Sequence, residues 1–97
     1  MFLNRTAPAF SIGNEVLAML PVDGSPADLK LLMKDLGIGR QAELRDLATI
    51  AAGKAGIRIH FGNSEDGGRE IYANVQSLDR LKYHAGRYWA DVYGNRA

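Results

Sequence analysis

Apolar positions recur along this chain at two periods, and the change between them divides it into elements. Residues 1–10 (MFLNRTAPAF) show no period and contain Pro8, which reads as an arm. Over 11–20, Ile12, Val16, Leu17, Met19 and Leu20 fit a short helix with Ser11 as its N-cap, and Pro21 stops it because its ring cannot continue the backbone ladder. Val22-Asp23-Gly24 reads as a turn. Ser25 then caps a second helix, with Pro26 at its first position and Asp28 at the positive end of the dipole. Leu29, Leu32, Met33 and Leu36 give that helix an apolar stripe at i, i+3, i+4 and i+7, with Lys30 and Lys34 on the other side and Gly37 at its end.

A third helix is predicted from Arg40 to Ala52 or Lys54. Its inward stripe is Leu44, Leu47, Ala48 and Ala51, with Ile50 at the margin, while Arg40, Gln41, Arg45 and Thr49 fall opposite. Gly53 and Gly56 bracket its exit. The period then drops to two. Residues 57–61 (IRIHF) alternate as a half-buried strand, residues 62–68 (GNSEDGG) form a polar, turn-rich loop, and residues 69–75 alternate again through Ile71, Ala73 and Val75. Two such runs around a Gly-rich loop predict a β-hairpin. Helical spacing returns over 78–93, followed by Gly94. The fold class is therefore α+β: helix, helix, tight turn, helix, hairpin, helix.

Composition narrows the chemistry. With 97 residues, 46% apolar and 24% charged, the chain reads as one ordinary globular domain. It has no Cys, which excludes disulfides, thiolate metal sites and a Cys nucleophile, and only two His, His60 and His84, so a metal site is not expected. No P-loop, G-x-S-x-G or H-E-x-x-H is present, and the Gly37/Gly39 pair follows a helix rather than a strand, which speaks against a dinucleotide site. No catalytic residue and no cofactor is implied. No apolar run nears the ~18 residues of a membrane span, and the start lacks a secretory pattern, so a cytoplasmic protein without a membrane partner is expected.

Net charge is +1, but residues 37–63 set Arg40, Arg45, Lys54 and Arg58 against Glu43 and Asp46, a local +2. That bias permits contact with nucleic acid without requiring it.

The stretch SPADLKLLMKDLGIGRQAELRDLATIAAGKAGIRI (25–59) resembles the helix-turn-helix of winged-helix DNA-binding proteins. Leu36-Gly37-Ile38 matches the turn, Arg40-Gln41 the opening of the recognition helix, and Lys54-Ala55-Gly56-Ile57 the exit into the wing. The resemblance covers residues 12–75 and implies a three-helix core with a hairpin wing, an extra C-terminal helix, and sequence-specific binding of double-stranded DNA. The helix of about 40–53 would enter the major groove, with Arg40 on guanine O6/N7 and Gln41 on adenine N6/N7. Arg45 would reach a base or a phosphate, and Thr49, Lys54 and Lys34 would contact the backbone. Arg58, His60, Asn63 and Arg69 would serve the wing. The implied role is a small transcriptional regulator, a repressor first. Gly39 stands where a Ser or Thr cap is commoner, and the wing tip Ser64-Glu65-Asp66 is acidic where DNA-gripping wings are basic.

The last helix carries Leu78, Leu81, Ala85, Tyr88 and Val92 at 3-4-3-4 spacing, with Trp89 on an aromatic edge. This face covers the core, joins two copies as a homodimer with half-sites about one helical turn apart, or does both, because its apolar residues span more than one narrow stripe. Two readings stay open beside the regulator: a winged-helix protein-interaction or adaptor module without DNA binding, which suits the acidic tip, and an excisionase-like DNA bender.

Overall fold

The computed structural model describes residues 9–65 and 67–93. Within them the order is α1 (Ala9–Met19), β1 (Ala27–Asp28), α2 (Leu29–Leu36), α3 (Gln41–Ala55), β2 (Ile59–Asn63), β3 (Arg69–Ala73), a 3-10 turn (Val75–Ser77) and α4 (Leu78–Tyr93). The three short strands form one antiparallel sheet in the order β1-β3-β2, so the architecture is α+β with four helices among the described residues.

Helix α1 is the hub. Val16, Leu17 and Ala18 are buried on it, as is Leu20 just past its end, and it packs most extensively against α3 and then α4. Gly13 makes the α1–α3 approach possible, because a Cβ there would collide with the Leu47 carbonyl oxygen and stand 3.0 Å from the Ala51 methyl. Leu29 and Leu32 of α2, Leu44, Ala48, Ala51 and Ala52 of α3, Ile71 and Ala73 of β3, and Leu81 of α4 complete one shared core.

The helix boundaries differ from the sequence pattern where local hydrogen bonding overrides it. Helix α1 begins at Ala9, so Ser11 lies inside the first turn and does not cap it, and the predicted arm falls, up to residue 8, outside the described residues. Ser25 does not cap α2 either. Its N–H and hydroxyl both donate to Asp23 Oδ1, at 3.0 and 2.7 Å, which ties it into the preceding turn. Ala27 and Asp28 are then held extended by pairing with Ile71 and Glu70, and Asp28 becomes the cap, its carboxylate accepting from the Lys30 N–H at 2.8 Å. Gly37 closes α2 with φ 71°, where the sequence placed it.

Helix α3 runs through Ala55 and closes at Gly56, also left-handed. The Ile57 N–H donates back to the Ala52 carbonyl at 2.9 Å, and its side chain is buried. Ile57 therefore belongs to the helix exit rather than to a strand, and pairing starts two residues later than the alternation suggested. The ladder runs from Ile59↔Ala73 to Asn63↔Arg69, which pushes the hairpin tip out to Ser64–Gly68. Val75 leaves the sheet and stands exposed in the 3-10 turn.

Helix α4 spans the predicted residues, but its seam faces its own chain. Leu81 is fully buried in the shared core and Leu78 packs against it. The Trp89 indole N–H donates to the Ala18 carbonyl at 3.3 Å, the Tyr88 hydroxyl to Glu15 at 3.3 Å, and His84 Nε2 to the Asn14 carbonyl at 3.1 Å. Of the residues expected between two copies, Leu81 is buried in the core of its own chain, Leu78 packs on that core, and Tyr88 and Trp89 hydrogen-bond within the chain while staying half-exposed. Ala85 is half-buried on the same helix, and Val92 remains exposed. No helix among the described residues is long and apolar enough to cross a membrane.

Candidate nucleic-acid interface

Burying Leu44, Ala48, Ala51 and Ala52 against α1 leaves a second face of α3 open. Ala42, Glu43, Arg45, Asp46, Thr49, Ile50, Gly53 and Lys54 are all exposed. The β2–β3 hairpin lies beside this helix because Ile59, Phe61 and Ile71 share one side of the sheet and pack on the core.

Strand alternation puts Asn63 and Arg69 on that same side, and they are the last cross-strand pair before the tip. There they meet the first turns of α3. Gln41, Arg45, Asn63 and Arg69 surround a recess of about 140 Å³ floored by Leu29 and Phe61. The Arg45 guanidinium lies 4.7 Å from the centre of the Phe61 ring, which is the partner the structure gives it, in place of the neighbouring Glu43 or Asp46. Phe61 is the residue the sequence pattern did not single out. It shares parity with Asn63 one rung nearer the core, and that was the available signal.

The remaining expected DNA contacts are dispersed. Thr49 and Arg58 border a separate open groove between the end of α3 and the start of β2, with Gly53 and Gly56. The Thr49 hydroxyl donates to the Arg45 carbonyl at 2.7 Å, so its single proton is committed within the helix and not available to a phosphate as it stands. Arg40 is the N-cap residue of α3, extended at φ −121° and ψ 122°, without a side-chain cap hydrogen bond, and exposed to solvent. Lys34 is exposed in the last turn of α2, and Lys54 in the last turn of α3. Gln41, expected on the outward face, is half-buried and turned to the recess.

His60 falls on the other side of the sheet. Its ring sits 5.4 Å from that of Tyr72, and its Nε2 is 3.0 Å from Asn74 Nδ2. The Asn74 carbonyl oxygen already accepts from the Gln76 N–H, so the amide nitrogen faces the imidazole and His60 Nε2 must accept. His60 therefore holds the exit of β3 and does not belong with the α3 face.

A larger concavity of about 380 Å³, bordered by Asn14, Ala55, Arg80, Tyr83, His84 and Arg87, lies between α1, the end of α3 and α4, and none of the ten expected DNA contacts lines it. Compared with known protein families, curated proteins and solved structures, the chain matches none.

Proposed function

We propose that this chain is a winged-helix protein that binds double-stranded DNA in a sequence-specific manner and acts as a small transcriptional regulator. In this reading α3 is the recognition helix and the β2–β3 hairpin the wing. The observation that carries it is the pairing of an outward α3 face with a hairpin whose last rung turns Asn63 and Arg69 toward the start of that helix. A helix backed by its neighbours and open on the opposite face suits a major groove about 12 Å wide. Arg40, exposed at the first residue of that face, is the base reader at its leading end, and Lys34, Lys54 and Arg58 are backbone contacts.

Gel mobility shift on duplexes enriched from a random pool tests the reading. A complex that weakens steeply with salt, and that Arg40→Ala weakens more for the enriched than for an unrelated duplex, is the expected result. Loss of discrimination between duplexes would point to about 1–3 kcal/mol carried by that side chain. No salt-dependent complex at any sequence would reject the proposal.

A second reading, an adaptor module, draws on Ile50, which is 53% exposed on the α3 face between Asp46 and Lys54, and on the acidic Glu65 at the tip. A partner that binds this face would be recovered with the protein after nuclease treatment and lost on Ile50→Lys.

A further inference from the structure

The recess between α3 and the hairpin has a composition that selects a ligand. Gln41 and Arg45 come from one turn of α3, Asn63 and Arg69 from opposite strands of the last rung, so two pairs of donors face each other across the opening. Two of the four are permanent cations, two are amides, and among the described residues no carboxylate lines the space. Its volume is about 140 Å³, under the ~300 Å³ at which ligand-sized pockets begin, and it is open to solvent on one side. A small oxyanion matches this set of donors.

The floor explains how the donors are held. The Phe61 ring, 4.7 Å from the Arg45 guanidinium carbon, attracts the cation without acting as an oxygen acceptor, so the N–H groups stay available to other partners. A planar fork of that kind matches two oxygens of a phosphate in a bidentate manner, which a mobile ammonium cannot do.

We infer that this recess seats one phosphoryl oxyanion through Gln41, Arg45, Asn63 and Arg69, with Phe61 as the positioning residue for Arg45. The inference rests on the DNA-binding reading for the source of that group: on a duplex it is a single backbone phosphodiester, clamped between recognition helix and wing. Arg45 then sets the register of α3 on the strand and reads no base. Sequence discrimination is left to Arg40 and the outward residues beyond it.

The test follows the side-chain amide resonances of Gln41 and Asn63 in the full chain by NMR. Inorganic phosphate is titrated against chloride at constant ionic strength, and then a random-sequence duplex is added. Both amide pairs shift and saturate with either ligand in the unaltered protein, and neither shifts in Arg45→Gln or Arg69→Gln. With the duplex, each of these variants also lowers the slope of log affinity against log salt by about 0.9, the loss of one phosphate contact. Phe61→Leu, which leaves every charge in place, weakens phosphate binding several-fold and leaves that slope unchanged. Unmoved amides with both ligands, or shifts that persist in both Arg variants, overturn the inference. Phosphate shifts without duplex binding keep the seat and remove the DNA reading. Duplex binding with an unaltered salt slope in both Arg variants keeps the DNA reading and removes the seat.

Discussion

Gly13 marks the closest approach of α1 and α3, and a single methyl there is a severe change. Alanine has the higher helix propensity by about 1 kcal/mol, yet its Cβ would press on the backbone of Leu47, which cannot rotate away. Gly13→Ala should therefore destabilise the fold by about 1–3 kcal/mol, as overpacking does, lowering the thermal midpoint by several degrees for a domain of this size. A midpoint that rises would show that the two helices stand farther apart. The start of α2 gives a paired test. Asp28→Ala removes a cap and should cost about 1 kcal/mol, whereas Ser25→Ala, at an exposed turn, should stay within about 0.5 kcal/mol. Ser25 acts instead on Asp23: its hydroxyl, and then its N–H, hold the Asp23 carboxyl below the usual carboxylate range. A depressed folded value means that the Ser25–Asp23 contact is fully present above the unfolded value and fades as pH falls through the folded one. Ser25→Ala should move the Asp23 titration midpoint upward, and an unchanged midpoint would remove Ser25 as its cause.

At the scale of elements, α4 packs one side of its seam on the core of its own chain. Leu81 is fully buried and Val92 is 41% exposed, so the helix has a committed side and an open one. Leu81→Ala should cost about 2–5 kcal/mol in chemical denaturation without altering the mass seen by sedimentation, while Val92→Ala should change stability by under about 0.5 kcal/mol. Loss of a dimer on Leu81→Ala, with the fold intact by circular dichroism, would contradict the packing of α4 on α1. The same helix shows why some elements were legible in the sequence and others were not. A stripe at 3.6 spacing places the helix, but says nothing of what covers it, and Trp89 and Tyr88 find carbonyl and carboxylate partners on α1 some seventy residues away. Strand β1 has only two residues and exists through its pairing with β3, so no local pattern announces it. The hairpin was visible as two alternating runs, yet Ile57 alternates in phase with Ile59 while its N–H returns to the helix at Ala52. That hydrogen bond keeps Ile57 out of the ladder, which starts at Ile59↔Ala73.

At the scale of the molecule, the observed ladder carries the functional consequence. It places Asn63 and Arg69 on the last rung, beside Gln41 and Arg45, so residues separated by about twenty positions close one donor-lined recess. The residue types were legible in the sequence as candidates, but their convergence depends on the ladder, and Phe61 under Arg45 depends on both. In this account α1 serves as the internal mount, wedged between α3 and α4 by Gly13 and the Val16–Leu17 pair, and the outward surface of α3 is what the mount presents. The most direct test maps amide shifts over the whole chain when an enriched duplex is added. The account predicts that they concentrate on the first three turns of α3, on Arg40, and on the Asn63–Arg69 rung, with α4 unmoved. Shifts centred on α4 and its neighbouring groove, or none at saturating duplex, would contradict it.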